Sequence, residues 1–230
     1  MSAELREQIA VGCRILAGAA QGDYVWGHLS ARDPDGAGTW MKAAGYGFEE
    51  ITADRTVLVD RDGRVLDGTE RRHAEYPIHT EIMARRPDVN AVVHTHSRAA
   101  VALAATGRAL EPVSHEGTFF TPPDVPRFTA TGDLILTREL GARLAECLGD
   151  RPAVLMVNHG VAVAAKDIPT AVVATLLLDA ACDMQLRVLA AGGAAHRSSD
   201  AEALSKREHC YGDALIDDAW RYLVRRLGTG

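Results

Sequence analysis

The sequence predicts a three-layer α/β/α sandwich built around a mostly antiparallel or mixed sheet. Helical and extended patterns intermix along the chain without a regular βαβ rhythm, and short apolar runs are separated by hairpin-like turns. At 230 residues, with 47% hydrophobic and 24% charged residues, the chain is long enough to bury one sizeable core. We therefore expect a single domain over 1–230, with a C-terminal helical tail from about residue 199.

Apolar spacing and helix breakers define the predicted helices. The first ends before Gly22, the second tolerates Pro77 only in its first turn and stops at Pro87, and the last ends at Gly228. In chain order the predicted helices cover 3–20, 74–86, 99–106, 137–147, 168–191 and 199–227.

Short apolar runs bounded by turn residues define the predicted strands. The Asp-Arg-Asp-Gly turn at 60–63 separates two such runs and predicts a hairpin. The run over 153–163 is broken at Asn158-His159-Gly160. In chain order the extended segments lie in 26–33, 39–44, 56–66, 90–96, 110–115 and 153–163.

Charge and composition exclude some classes of partner. The net charge is −6, from 25 basic and 31 acidic residues. Nucleic acids and anionic membranes bind clustered positive charge, so this net charge gives no electrostatic reason to expect either as a partner. An acidic and a basic residue, Glu4 and Arg6, lie within the first six positions, and Asp179 and Asp183 interrupt the longest apolar run. We expect a cytoplasmic protein with no nucleic-acid or membrane partner, whose four scattered cysteines are reduced and buried.

Two histidines at alternate positions of one predicted strand form a chelating pair. Side chains of alternate strand residues point to the same face, so His94 and His96 project two imidazoles side by side. A third imidazole, His159, stands where an extended run meets Gly160, which lets a turn approach the sheet edge. Three neutral nitrogens suit Zn²⁺, Fe²⁺, Co²⁺ or Mn²⁺ and leave a position open for substrate.

Two segments carry a family resemblance: EYPIHTEIMARRPDVNAVVHTHS over 75–97 and LMVNHG over 155–160. Both resemble the class II aldolase and adducin head-domain family, and the resemblance extends from the first helix to about residue 190. It implies that Glu75 is the catalytic acid/base and that His94, His96 and His159 hold a divalent metal, zinc before Fe(II), Mn or Co. It also implies a homo-oligomer, a tetramer, with sites near subunit contacts.

The chain departs from the sugar-phosphate members of this family where they bind phosphate. Those members use a GNxS turn, a Thr/Ser-Gly pair and a Ser-Ser pair, and the matching positions here read GHLS, AAG and His-Ala. Hydroxyl and amide donors have become imidazoles and methyls, so we expect a carboxylic acid rather than a phosphosugar. The residues assigned to substrate binding are His28, Ser30, Gly45 and His73, with Lys42 or Arg72 as further carboxylate partners and Trp26 beside a flat substrate.

His115 lies near the position of a family active-site tyrosine. It is predicted to end the strand after the His94 strand, and it would replace that tyrosine as proton donor. His79 follows Glu75 by one helical turn and is assigned a structural or supporting role.

The predicted function is that of a divalent-metal-dependent carbon–carbon lyase. It would act by aldol cleavage or decarboxylation on a non-phosphorylated hydroxy- or keto-carboxylic acid, aromatic acids included. The alternative is an Fe(II)- and O₂-dependent oxygenase, because the GHxS turn also resembles the hydroxyphenylpyruvate oxygenases of aminocoumarin pathways. A non-catalytic adducin-like interaction module is disfavoured, since all three histidines and Glu75 are present.

Overall fold

In the computed structural model of the protein, which describes residues 2–228, one eight-stranded sheet lies between two layers of helices. Met1, Thr229 and Gly230, which the predicted domain includes, lie outside the described residues. The helices are α1 (Ser2–Gly18), α2 (Tyr76–Arg85), α3 (Arg98–Thr106), α4 (His115–Phe120), α5 (Arg138–Leu148), α6 (Ile168–Ala190), α7 (Asp200–Cys210) and α8 (Asp213–Leu227). The strands are β1 (His28–Arg32), β2 (Thr39–Lys42), β3 (Thr56–Val59), β4 (Val65–Asp67), β5 (Ala91–Thr95), β6 (Arg127–Phe128), β7 (Ala153–Met156) and β8 (Gly160–Ala165).

The sheet has the strand order β4-β3-β2-β1-β5-β8-β7-β6. Every neighbouring pair is antiparallel except β6 and β7, which are parallel. The turn at 60–63 joins β3 and β4, as the sequence predicts. The prediction of an α/β/α sandwich around a mostly antiparallel, mixed sheet is therefore confirmed.

The two faces of the sheet carry separate hydrophobic cores. On β5 the fully buried Val93 packs with residues of α1, α3 and α6, whereas its neighbour Val92 packs with residues of α2 and α5. This alternation follows from the two-residue period of a strand. His94 has the parity of Val92, so its side chain points to the side of the sheet where α2 begins.

Two local predictions differ from the structure, and one short strand was not predicted. Residues 110–114 form no strand, because the Ser114 hydroxyl accepts the N–H of Gly117 and caps α4, which begins at His115. The tail predicted as one helix is two, α7 and α8, separated at Gly212. The two-residue strand β6 is too short for any periodicity to reveal.

The cysteines and helices agree in part with the expected environment. All four cysteines are free thiols, but only Cys13 and Cys182 are fully buried, while Cys147 and Cys210 are half-buried. Within residues 2–228, none of the helices has both the length and the apolar character that crossing a bilayer requires.

Candidate metal centre and active site

A cavity of about 450 Å³ opens at the ends of the central strands β1, β5 and β8. It forms where the loop before β1, the loop before α2, the end of β5 and the β7–β8 turn meet. The residues that line it are Asp23, Trp26, His28, His73, Ala74, Glu75, His96, Gly132, Asp133, Leu134, Asn158 and His159.

Strand pairing and one glycine bring the histidines together. β5 is paired with β8, and His94 lies opposite Ala162. A Cβ atom at Gly160 would lie 2.6 Å from the carbonyl oxygen of Thr95 and 3.0 Å from Cδ2 of His96. Only glycine therefore lets the β7–β8 turn approach β5 closely enough to place His159 beside the strand histidines.

The imidazoles of His94, His96 and His159, here called the histidine triad, point their nitrogens at one another. Nε2 of His94 lies 3.1 Å from Nε2 of His96, and one ligand nitrogen from each member lies within 4.8 Å of the others. Tetrahedral ligands about 2.0–2.1 Å from a zinc ion are about 3.3 Å apart. The spacing therefore fits a metal centre.

His159 supplies an independent test of this fit. Both of its ring nitrogens are buried, and neither makes a hydrogen bond within the described part of the chain. Buried polar atoms are almost always paired, so a ring without any hydrogen bond, whose Nε2 has only an ion-pair contact of 3.5 Å with Oε1 of Glu75, calls for a partner. A cation held by the three rings would provide one.

Groups outside the triad orient its rings. Nδ1 of His94 donates to the carbonyl oxygen of Val161 at 2.9 Å, which leaves Nε2 with its lone pair towards the triad. Nδ1 of His96 lies 3.1 Å from Oδ2 of Asp23, in an ion-pair contact rather than an aligned hydrogen bond. Burial lowers the pKa of both imidazoles, so both are held in the neutral form that a metal ligand needs.

Glu75 stands beside the triad, immediately before α2, and is 6% exposed. Oε1 accepts the backbone N–H of Ile135 at 2.7 Å and lies 3.5 Å from Nε2 of His159. Oε2 lies 3.9 Å from Nε2 of His94 and 4.0 Å from Nε2 of His28. Burial raises the pKa of the carboxyl, but its contacts with His159, His94 and the N–H of Ile135 outweigh burial and lower that pKa to about 2. Glu75 is therefore a carboxylate at neutral pH.

A second set of side chains, the buried chain His28–His79–Ser30, lies behind the cavity. Nδ1 of His28 lies 2.6 Å from Nε2 of His79, and Nδ1 of His79 lies 2.6 Å from Oγ of Ser30. Nε2 of His28 is left to face Glu75 and the cavity. Ser30 is fully buried and bonded to His79, so it supports His28 rather than lining the cavity.

Of the two other residues predicted to bind substrate, His73 lines the cavity and Gly45 does not. His73 lines the cavity, with its ring centroid 4.5 Å from that of His28. Gly45 does not line it and occupies a turn after β2 with φ of +90°, a conformation that favours glycine. A Cβ atom there would lie 3.4 Å from the Arg71 guanidinium.

The predicted proton donor His115 is not brought to the cavity of its own chain. The expectation that it ends a strand is wrong, because Ser114 caps a helix at that point. Its Nδ1 lies 3.4 Å from Sγ of Cys210, and it lines a separate groove with residues of the α6–α7 connection and α7.

Sequence reasoning missed Asp23. It lies far from both motifs along the chain, and no spacing rule connects a loop carboxylate to a strand histidine. Metal-binding imidazoles generally pair with a carboxylate or a carbonyl group, but this rule does not say which residue of the sequence supplies the partner.

Comparison with known proteins identifies the family of this chain. Residues 7–186 match the family described as Class II Aldolase and Adducin N-terminal domain. This chain belongs to that family, whose members depend on a divalent metal.

Relatives and solved structures agree with this assignment. The chain is 32% identical to a 3,4-dihydroxyphthalate decarboxylase of Arthrobacter keyseri, over 97% of this chain and 94% of that protein. It is 35% identical to a 4-hydroxy-3-prenylphenylpyruvate oxygenase/4-hydroxy-3-prenylbenzoate synthase of Streptomyces roseochromogenus subsp. oscitans, over 75% of this chain and 63% of that protein. The crystal structure of an aldolase II superfamily protein from Pseudomonas syringae superposes with a TM-score of 0.86 at 29% identity, covering 98% of this chain and 92% of that one.

Proposed function

We propose that this protein is a divalent-metal-dependent carbon–carbon lyase that decarboxylates a hydroxylated aromatic carboxylic acid. The observation that carries the proposal is the convergence of three imidazoles and one carboxylate at a single cavity. Support comes from the Arthrobacter relative, whose name describes decarboxylation of a dihydroxylated benzene dicarboxylate and which matches nearly the whole chain.

The histidine triad would hold the metal ion, with zinc first and Fe(II), Mn or Co as alternatives. All three side chains offer neutral nitrogen, which suits these ions better than Mg²⁺ or Ca²⁺. Lewis-acid stabilisation of negative charge on a substrate oxygen is the chemistry that such an ion supplies when bound.

Other side chains of the cavity would bind the substrate ring and transfer a proton. Trp26 and Leu134, which are 55% and 46% exposed, offer an apolar surface to an aromatic ring. Oε2 of Glu75 makes no hydrogen bond to the backbone, so it is the oxygen that moves a proton. It takes the proton of the substrate hydroxyl and returns it to the ring carbon, which keeps the electron pair of the broken bond as CO₂ leaves.

We also propose properties of the whole protein. It would form a single domain over 1–230 with its helical tail, lie in the cytoplasm and assemble as a homotetramer, and His115 would donate a proton. Because His115 lies outside the cavity of its own chain, that role requires the cavity of another subunit. Light scattering is the first test, since a monomer at assay concentrations contradicts both the tetramer and this role.

The reaction is tested by assaying CO₂ release from 3,4-dihydroxyphthalate and related hydroxylated benzoic acids. Activity should disappear after chelation and return on adding back zinc or another divalent ion, because the triad alone supplies no Lewis acid. Absence of CO₂ release from every acid tested, with metal bound at full occupancy, contradicts the proposal.

The second candidate is an Fe(II)- and O₂-dependent oxygenase, which the name of the Streptomyces relative favours. The two candidates differ in their need for oxygen. CO₂ release at an unchanged rate under anaerobic conditions supports the lyase. Oxygen consumption matching the product formed, with iron as the active metal, supports the oxygenase.

A further inference from the structure

Lys42 is a buried cation without a carboxylate partner. It stands at the end of β2 and is fully buried. Its ammonium group donates to the carbonyl oxygens of Val25 at 3.2 Å and Ala43 at 3.4 Å, and to Nε2 of His73 at 3.2 Å. No carboxylate between residues 2 and 228 lies within ion-pair distance of it. Glu49 and Glu50 act on it only from beyond ion-pair distance, and the Phe48 ring centroid lies 5.6 Å from Nζ, so a further anion nearby would be stabilised.

The contact with His73 carries the influence of Lys42 to the cavity wall. An ammonium group has donors only, so Nε2 of His73 must accept, and the ring hydrogen is on Nδ1. Burial and the charge of Lys42 lower the pKa of His73 to about 3, which keeps the ring neutral. Burial also lowers the pKa of Lys42, to about 8, which leaves the ammonium largely protonated at neutral pH.

The cavity has no cation of its own among the residues that line it. Glu75, Asp23 and Asp133 contribute carboxyl groups to the wall, and no lysine or arginine lines it. An anionic substrate therefore meets positive charge from the chain at the side where Lys42 backs His73. His73 and the histidine triad contact different sides of His28. The centroid of the His28 ring lies 4.8 Å from that of His94, a triad member, and 4.5 Å from that of His73.

We propose that His73, polarised and oriented by Lys42, binds a second carboxylate of the substrate, which makes the substrate a hydroxylated aromatic dicarboxylic acid. The inference rests on the proposed function: one carboxylate leaves as CO₂ beside Glu75, and the other stays bound at His73. Lys42 is a positioning residue that acts through the imidazole. The bound carboxylate adds to the negative charge that Glu49 and Glu50 already contribute around Lys42.

Phthalate and benzoate separate this subsite from the rest of the cavity, because they differ by one carboxylate and neither needs to react. Binding of each to the zinc-loaded protein is measured by calorimetry for the native chain, Lys42→Met, His73→Phe and Lys166→Met. Lys166 is an exposed lysine paired with Asp213, so Lys166→Met is the matched control.

The native chain should bind phthalate at least about tenfold more tightly than benzoate, as expected for a charge-assisted hydrogen bond. Lys42→Met and His73→Phe should each abolish that preference, whereas Lys166→Met keeps it. A loss of general stability does not change the ratio of the two affinities. If Lys42→Met fails to fold, His73→Phe alone decides the question.

A native chain without the preference, or a preference that survives in both Lys42→Met and His73→Phe, overturns the inference. The proposed function fails separately. A phthalate preference without CO₂ release from 3,4-dihydroxyphthalate contradicts decarboxylation and leaves the subsite in place. CO₂ release without the preference contradicts the subsite alone.

Discussion

Two sets of side chains on either side of Glu75 use imidazoles in opposite ways. In the buried chain His28–His79–Ser30, contacts of 2.6 Å occupy both ring nitrogens of His79. In the histidine triad, His159 has two buried nitrogens without a hydrogen bond in the described part of the chain. Both sets lie at one edge of one sheet and are largely shielded from water.

We infer from this difference that His79, with both ring nitrogens paired, is a supporting histidine, and that His159, with neither nitrogen hydrogen-bonded, is a metal ligand. A ring whose nitrogens are both paired holds its neighbours in place. A ring with an unpaired, buried nitrogen lacks a partner that the folded chain does not supply. Mutations in the two sets should therefore affect different properties.

The largest effect is expected from His159→Ala. Removal of one of three ligands should weaken zinc binding by more than about 100-fold, beyond the range for loss of an outer partner, and abolish activity. Metal content after dialysis and an activity assay check the two halves of this statement, and circular dichroism checks that the variant folds. His209→Ala, at an exposed histidine of α7, is the control. Full metal occupancy in His159→Ala would remove His159 from the metal centre.

Glu75→Gln should keep the metal and lose the chemistry. The amide is nearly isosteric but cannot take up and return a proton, so kcat should fall by about 10²- to 10⁴-fold. Metal content and steady-state kinetics are measured on the same preparation, with Glu208→Gln on the surface of α7 as control. A kcat within a few-fold of the native value would exclude proton transfer by Glu75.

A smaller effect is expected from Asp23→Ala, which removes the carboxylate beside Nδ1 of His96. Loss of such an outer partner typically lowers metal affinity by about 10- to 100-fold. Competition with a zinc chelator gives the affinity, and Asp35→Ala in an exposed turn is the control. An unchanged affinity would mean that the contact does not orient the ring.

The prediction that involves neither metal binding nor activity concerns the acid stability of the metal-free protein. Burial lowers the pKa of His73 and of His79 from 6.5 to about 3, so the unfolded chain binds more protons between those pH values. Stability should then fall as the pH drops below 6.5, by up to about 1.4 kcal/mol per pH unit for each histidine. Urea unfolding at several pH values measures the slope.

A matched pair of variants assigns that slope. His79→Gln removes one group that gains a proton on unfolding, so its slope should be shallower than that of the native chain. His209→Gln, at an exposed position, should leave the slope unchanged. Equal slopes in all three proteins would mean that His79 is not held neutral by the fold.

The sequence predicted most of the fold because its elements have strong local signals. The turn at 60–63, the breaker at Pro87 and the alternation of His94 and His96 each act over a few residues. The helix at His115 was missed because the cap made by Ser114 competes with an extended pattern of similar length. Ser30 and Gly45 were assigned by their place in a motif, which does not determine whether a side chain reaches the cavity.

The contacts that distinguish the two sets of histidines could not be predicted in the same way. Asp23 meets His96, and Lys42 meets His73, only after strands and loops from distant parts of the chain are assembled. Such contacts depend on tertiary packing and leave no periodic trace in the sequence. The triad was predictable because its two motifs combine a strand alternation with a glycine turn.

X-ray absorption spectroscopy at the zinc edge of the metal-loaded protein tests the central claim most directly. Three nitrogen ligands at about 2.0–2.1 Å, with the scattering pattern of imidazole rings, are expected for the native chain. His159→Ala should lose one of these ligands or the ion itself. A native spectrum without imidazole scattering, or one dominated by sulfur at about 2.3 Å, would contradict a metal centre built from His94, His96 and His159.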